Sequence, residues 1–299
     1  MKSRYFFQLV ALSALWGTGF LLTRIATPVL GPSVAAAARI GLGAMTLAMI
    51  MRHQQLAWPR EHWRELLLLG ASAIALPHFL NAWSSLYLPS GYSAVVGVTS
   101  VLFGAFAAAW MKEDTLTWTK LVGCILAFTG VALVVRLGPI DPSPEVLAGT
   151  ALAVFGCFFS GLSMPLLKRA TQRMAPLSIT AGIHTCGFLL LLPGALWKLP
   201  EAQFSWSALS AVALMGIITS GLAYWQYMRI VQHVSAVAAH SSTFMVTIFG
   251  VTWGHLVLGE VFTLASYAGG ALVLLATMMV TGFNPLSQRD RKTPNAPPG

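Results

Sequence analysis

The chain has 299 residues, of which 56% are apolar and only 9% are charged, against about 25% charged in an ordinary soluble protein. This composition excludes a water-soluble globular fold and indicates an integral membrane protein. The formal net charge of +9 comes from basic residues scattered at the ends of apolar runs, which argues against a nucleic-acid-binding face.

Apolar runs of about twenty residues, the length that crosses a hydrocarbon core, recur along the sequence. They predict ten transmembrane helices, the first of which is too long for a signal peptide. The predicted helices are roughly residues 5–26, 32–51, 65–87, 91–111, 117–136, 147–168, 177–197, 206–228, 236–258 and 261–282. We expect a first five-helix repeat over 3–136, a periplasmic linker over 137–146, a second repeat over 147–282 and a disordered cytoplasmic tail over 283–299.

Lysine and arginine are distributed unequally between the two sides of these helices. With the N-terminus inside, fourteen of the eighteen lie in cytoplasmic segments, whereas Arg24, Arg136 and Lys198 lie on the opposite side and Arg39 lies within the second helix. Short cytoplasmic loops retain positive charge. The sequence therefore predicts that both termini are cytoplasmic.

The two halves resemble each other in sequence. A glutamate closes the fourth run at Glu113 and the ninth at Glu260, and a glycine follows each of them ten residues later, at Gly123 and Gly270. Because five is an odd number, the second half must enter the membrane in the opposite orientation. Inverted repeats are typical of secondary transporters, with the substrate site near the midplane, although a repeat can also arise by duplication of a structural unit.

A family resemblance rests on the Leu-Trp-Gly motif that contains Trp16, on Arg39, and on the glutamates that close helices four and nine. The sequence resembles the drug/metabolite transporter superfamily, in the branch with two EamA-type repeats, and is similar to YddG-type exporters of aromatic and other amino acids. The resemblance covers nearly all of 3–282. It implies a multi-pass protein of the bacterial inner membrane whose central cavity is lined by helices 1, 3, 4, 6, 8 and 9. The second half departs from the pattern, because Ile183 and His184 stand where a match to Arg39 is expected.

Ionisable residues at membrane depth are candidates for function because they are costly there. All nine acidic residues lie in predicted loops or helix ends, so the sequence lacks the midplane carboxylate that a proton-coupled exporter of organic cations needs. Arg39 lies about 10 Å into its helix. It either grips a substrate carboxylate or bonds to helix ends and holds the fold. His78 either couples a proton to transport or is a neutral, hydrogen-bonded residue.

Polar and aromatic residues recur at helical spacing on the helices that the resemblance brings together. Each such stripe can also serve hydrogen bonding between helices, but several stripes that meet at one centre favour a cavity. The candidate substrate-binding residues are Trp16 and Phe20 in helix one, His78, Asn81 and Ser85 in helix three, Ser160 and Ser163 in helix six, Tyr224 and Tyr227 in helix eight, and His240, Thr243 and Thr247 in helix nine.

These features favour an exporter of small neutral or zwitterionic metabolites, above all amino acids, that works as a facilitator by alternating access. Efflux of hydrophobic drugs or lipid-linked sugars is the alternative. An isolated Gly-x-Ser at Ser163, with His184 or His240 as base, leaves an intramembrane serine hydrolase as a third hypothesis. We expect no catalytic residue, no metal site and no cofactor; the expected partners are the lipid bilayer and a small-molecule substrate, and a monomer suffices for a pathway.

Overall fold

The computed structural model describes residues 2–88, 90–135, 143–258 and 264–281. Within these ranges the chain is helical and contains no strand, which confirms the all-helical fold class. Most of the predicted linker over 137–146 and all of the predicted tail over 283–299 lie outside the described residues.

The helical segments are numbered here in chain order. They are α1 (Ser3–Leu30), α2 (Pro32–His53), α3 (Arg60–Ser84), α4 (Ser90–Trp110), α5 (Trp118–Val135), α6 (Pro144–Ala170), α7 (Pro176–Lys198), α8 (Trp206–Val231), α9 (Ala236–His240 and Ser242–Leu258) and α10 (Leu264–Thr281). Among the described residues, six segments are long and apolar enough to cross a membrane, namely α1, α2, α3, α6, α7 and α8. Shorter apolar stretches occur in α4, α5, α9 and α10.

Proline and glycine set the ends of several helices. Pro32, Pro144 and Pro176 each occupy the first helical position, where the missing N–H has no intrahelical partner to lose. Gly31 joins α1 to α2 with a φ of 77°, a left-handed conformation that costs a glycine little. Its N–H donates to the carbonyl of Thr27 at 2.8 Å, so the chain reverses direction in one residue.

Tryptophans mark both ends of the helix bundle. Trp110 and Trp118 lie at the end where α1 begins, which we call the N-terminal end, and Trp197 and Trp206 lie at the opposite end. All four side chains are at least three-quarters exposed. Exposed tryptophans at two levels, separated by an apolar lateral surface, are the pattern expected of a protein that sits in a bilayer.

Helices from the two halves pack against each other through glycines. Gly17 of α1 lies against Gly250 of α9, and a Cβ at Gly17 would lie 2.8 Å from the Gly250 nitrogen. Gly161 of α6 lies against Gly104 of α4, and a Cβ there would lie 2.6 Å from the Gly104 nitrogen. In both pairs the first helix of one half meets the fourth helix of the other. Small residues allow this backbone approach in membrane helices.

The third helix of each half contains a π-helical segment. In α3 it covers Gly70–Ala75, and in α8 it covers Met215–Ala223. The sequence predicts a kink at Pro77. In the structure the π-helical segment of α3 ends just before this proline. The proline ring has no N–H and would clash with the carbonyl four residues earlier in a regular α-helix. π-helical segments place residues out of α-helical phase and frequently occur at functional sites.

Candidate functional site

A cavity of about 290 Å³ lies between the helices of the two halves. Its size is close to the lower bound of about 300 Å³ for small-molecule sites. The walls come from α1, α2, α3, α4, α6, α8 and α9, so α2 joins the six helices that the family resemblance implies. The predicted residues that line it are Trp16, Phe20, Arg39, His78, Asn81, Ser85, Ser160, Ser163, Tyr224, Tyr227, His240 and Thr243.

Thr247 is the candidate residue that does not line the cavity. The helix α9 is interrupted at Ser241 and restarts at Ser242, so its cavity face runs through Ser242, Thr243 and Val246. The side chain of Thr247 is buried, and its hydroxyl is 3.4 Å from the carbonyl of Thr243. A spacing count through an uninterrupted helix cannot anticipate this change of phase.

The cavity also has polar walls that are absent from the candidate set. These residues are Thr23, Arg24, Ser93, Ser100, Cys157, Thr219, Ser220 and Ser242. A signal for part of this set exists in α4, where Ser93, Gly97 and Ser100 share one helical face. Arg24 belongs here because α1 continues to Leu30, which places it within the helix rather than at its end.

Arg39 joins α2 to the π-helical segment of α8. Its Nε donates to the hydroxyl of Ser220 at 2.9 Å, and its Nη2 donates to the hydroxyl of Thr219 at 3.3 Å. The Thr219 hydroxyl in turn donates to the carbonyl of Met215 at 2.7 Å, which directs its lone pairs toward the guanidinium. The indole of Trp16 donates to the Thr219 carbonyl at 3.1 Å. Two cavity-lining side chains from the first half thus bind the same turn of the second half.

Aromatic side chains of α1 and α8 form one wall of the cavity, which we call the aromatic wall. The ring centroids of Trp16 and Tyr227 are 5.1 Å apart, and those of Tyr224 and Tyr227 are 5.9 Å apart, both in edge-to-face geometry. Behind this wall His184 packs edge-on against Tyr224 at 4.9 Å, and its Nδ1 is 2.9 Å from the carbonyl of Thr180. His184 itself does not line the cavity.

The polar stripe of α3, which consists of His78, Asn81 and Ser85, lines the same cavity as the aromatic wall. The Nδ1 of His78 is 2.8 Å from the carbonyl of Ile74, and because a carbonyl only accepts, Nδ1 carries the proton. The amide of Asn81 has no hydrogen-bond partner among the described residues. Ser85 donates to the carbonyl of Ala82 at 2.7 Å. Asn81 therefore offers both a donor and an acceptor to a molecule in the cavity.

Ser163 is not activated as the nucleophile that a serine hydrolase would need. Ser163 donates to the carbonyl of Ser160 at 2.7 Å. No hydrogen bond among the described residues joins Ser163 to His184 or to His240. A nucleophilic serine needs a base within hydrogen-bonding reach, and this hydroxyl is bonded to the backbone instead.

The N-terminal end of the bundle is closed by polar contacts. Its longer-range links are Arg169 Nε to Glu113 Oε1 at 2.6 Å, Lys168 Nζ to the Gln232 carbonyl at 2.8 Å, Arg173 to Glu65 at 3.4 Å, Ser13 Oγ to the Ser242 carbonyl at 3.0 Å, and the stacked rings of Tyr5 and His233. At the opposite end, Arg24 is exposed and Ser93 lies about 5 Å from the start of α4. The cavity therefore extends toward that end.

Comparison with known proteins agrees with this architecture. A family model described as the EamA-like transporter family matches residues 4–136 and again 147–282. The chain belongs to the EamA-like transporter family. The two matches correspond to α1 to α5 and to α6 to α10, so each half of the EamA-family fold carries one repeat.

Relatives are similar to this EamA-family protein over most of its length. An uncharacterized transporter, YvbV, of Bacillus subtilis is 25% identical, and the match covers 93% of this chain and 92% of the relative. A probable terminal-alkyne amino-acid exporter of Streptantibioticus cattleyicolor is 22% identical, with 98% of both chains covered. An S-adenosylmethionine/S-adenosylhomocysteine transporter of Chlamydia trachomatis is also 22% identical, over 83% of this chain and 80% of the relative.

The fold is also found among solved structures. One protein crystal structure matches with a TM-score of 0.74 at 15% identity and covers 91% of this chain and 98% of the other. This likeness concerns the fold alone.

Proposed function

We propose that this EamA-family protein exports small neutral or zwitterionic metabolites, above all amino acids including aromatic ones, across the bacterial inner membrane. The observation that supports the proposal best is the central cavity. Its aromatic wall at Trp16, Tyr224 and Tyr227 suits an apolar side chain, and the amide of Asn81 and the Arg39 guanidinium suit the polar end of an amino acid. The similarity to a probable terminal-alkyne amino-acid exporter also supports the proposal.

The transport route follows from the predicted topology. We propose that all ten helices cross the membrane as two inverted repeats, 3–136 and 147–282, with both termini cytoplasmic. The closed N-terminal end then faces the cytoplasm, and the cavity opens to the outside, the state that releases an exported molecule. No acidic residue lines the cavity among those described, which supports a facilitator rather than a proton-coupled antiporter. Two repeats in one chain make a monomer sufficient.

The test is uptake of a panel of labelled amino acids into liposomes that contain the purified protein, with and without a pH gradient. We expect saturable uptake of several neutral amino acids without the gradient, and its loss in His78→Ala and Asn81→Ala. Thr247→Ala, outside the cavity, serves as the matched control and should transport normally. Absence of amino-acid flux under both conditions would contradict the proposal and would favour hydrophobic drugs or lipid-linked cargo.

A further inference from the structure

Two arginines line the cavity without an acidic partner. Arg24 of α1 makes no ion pair or hydrogen bond with the described residues, and Arg39 of α2 bonds only the neutral hydroxyls of Thr219 and Ser220. Neither aspartate nor glutamate occurs among the described residues that line the cavity. The described acidic residues lie in loops or in the terminal turns of helices. The cavity therefore carries two positive charges that no acidic side chain among its described lining residues compensates.

The contacts of Arg39 leave one part of its guanidinium free. Nε and Nη2 are held by Ser220 and Thr219, whereas Nη1 has no hydrogen-bond partner among the described residues. The side chain is only partly buried, and it lines the cavity. A guanidinium fixed at two nitrogens presents its remaining N–H groups in a defined direction, and these groups bind carboxylates with charge-assisted hydrogen bonds.

A cation at membrane depth is costly unless an anion accompanies it. The neutral hydroxyls of Thr219 and Ser220 accept hydrogen bonds from Nη2 and Nε of Arg39 but do not reduce its charge. An anionic group of the transported molecule would accept a hydrogen bond from Nη1 and would also reduce the charge. By contrast, an ammonium group would meet only neutral acceptors, such as the Asn81 amide, and would be repelled by both arginines.

We propose that the cavity selects its cargo by a carboxylate and not by an ammonium group, with Arg39 as the carboxylate-binding residue and Arg24 as an anion-attracting residue at the open end. This inference rests on the proposed function and narrows its substrate class. The transported molecule carries a carboxylate and an apolar or aromatic side chain. Its 2-hydroxy analogue, which lacks the ammonium group, is carried as well, and its decarboxylated amine is rejected.

The experiment compares three forms of one side chain in liposomes that contain the full-length protein. Labelled phenylalanine and leucine, their 2-hydroxy acids and the corresponding amines are each tested for flux. We expect the 2-hydroxy acids to be carried within a few-fold of the amino acids, and the amines not to be carried. Arg39→Gln should weaken apparent affinity for the acids roughly tenfold to a hundredfold, because a charge-assisted hydrogen bond is lost.

Because Arg39 also bonds α2 to α8, Arg39→Gln can misfold, and a second variant controls for this. Arg24 is exposed and has no partner among the described residues, so Arg24→Glu should leave folding intact. We expect this charge reversal to lower flux of the 2-hydroxy acids more than flux of the amino acids. Arg64→Gln removes one positive charge outside the cavity, over the ring of Trp63, and should change neither.

Each result decides between the proposals. Two results would overturn the carboxylate inference and leave the proposed function standing. One is equal flux of the amino acids and the amines, and the other is an unchanged preference for the acids in both Arg39→Gln and Arg24→Glu. Flux of the 2-hydroxy acids alone would support the inference and contradict amino-acid export. Flux of neither the amino acids nor the 2-hydroxy acids would overturn both.

Discussion

The Nε of Arg39 on α2 donates to the hydroxyl of Ser220 on α8 at 2.9 Å, across 181 positions of the sequence. This bond crosses the interface between the two repeats at the cavity wall. The acceptor, the Ser220 hydroxyl, is neutral. The fold therefore positions the Arg39 guanidinium without cancelling its charge. The bond therefore serves both the stability of the bundle and the electrostatics of the cavity.

Removal of the Ser220 hydroxyl should destabilise the protein. We expect Ser220→Ala to lower the free energy of unfolding by about 1.5–3 kcal/mol, the range for a hydrogen bond to a charged group. The measurement is the thermal unfolding midpoint in detergent. Ser210→Ala, on the same helix, is the matched control, because Ser210 is exposed and bonds only the Ser207 carbonyl. Equal midpoints for the two variants would show that the Arg39–Ser220 bond does not hold the repeats together.

The glycine contacts between the repeats make a steric prediction. At Gly161 a Cβ would lie 2.6 Å from both the Gly104 nitrogen and the Ser100 carbonyl oxygen, which are backbone atoms and cannot rotate away. We expect Gly161→Ala to cost about 1–3 kcal/mol of unfolding free energy, as overpacking does. At Gly194 of α7 no atom of the described residues lies within 4 Å of such a Cβ, so Gly194→Ala should not lower the thermal unfolding midpoint. A Gly161→Ala protein as stable as Gly194→Ala would contradict the close approach of α4 and α6.

The ion pair at the N-terminal end predicts an energetic coupling between the repeats. Arg169, at the end of α6, bonds both Glu113, just beyond the end of α4, and the Met111 carbonyl, each at 2.6 Å. In a double-mutant cycle, Arg169→Ala and Glu113→Ala should couple by about 1 kcal/mol, since both side chains are only partly exposed. The Lys198–Glu201 pair at the opposite end is well exposed, and its cycle should give a smaller value. Coupling that is no larger than in this control would exclude a role for the pair in closing this end.

The helices and most of the cavity could be predicted from the sequence because the signals are strong and local. Apolar runs of membrane-spanning length define the helices, and a helical spacing such as that of His78, Asn81 and Ser85 identifies one face. The changes of phase could not be predicted in this way. The break at Ser241 and the π-helical segment of α8 alter which side chains face inward, and residues distant in sequence bond to both, Ser13 to the Ser242 carbonyl and Trp16 to the Thr219 carbonyl.

Part of the cavity charge could be predicted from the sequence, since Arg39 lies within a predicted helix and all nine acidic residues lie in predicted loops or helix ends, but the place of Arg24 could not. Arg24 stands close to the end of an apolar run, where a snorkelling or loop position is the ordinary expectation. Only the length of α1, which continues through Pro28 to Leu30, places Arg24 within the helix and at the cavity wall. That both arginines line one cavity, with no acid among its described lining residues, follows from how the helices assemble.

A native cysteine allows the charge of the cavity to be measured. Cys157 of α6 lines the cavity, whereas Cys124 is buried and Cys186 lies outside the lining. In a Cys124→Ala, Cys186→Ala protein, we expect a negatively charged methanethiosulfonate to modify Cys157 several-fold faster than a positively charged one, after correction for their rates with a free thiol. Two arginines that have no acidic partner among the described residues attract anions into the cavity. Equal corrected rates would contradict a positively charged cavity.

The same protein gives the most direct test of the transport pathway. The measurement is flux of a labelled neutral amino acid through liposomes that contain the Cys157-only protein, before and after complete modification of the thiol from the side to which the cavity opens. We predict that modification abolishes flux and that an excess of the transported amino acid slows modification. Undiminished flux through fully modified protein would contradict the claim that cargo passes through the cavity between the two repeats.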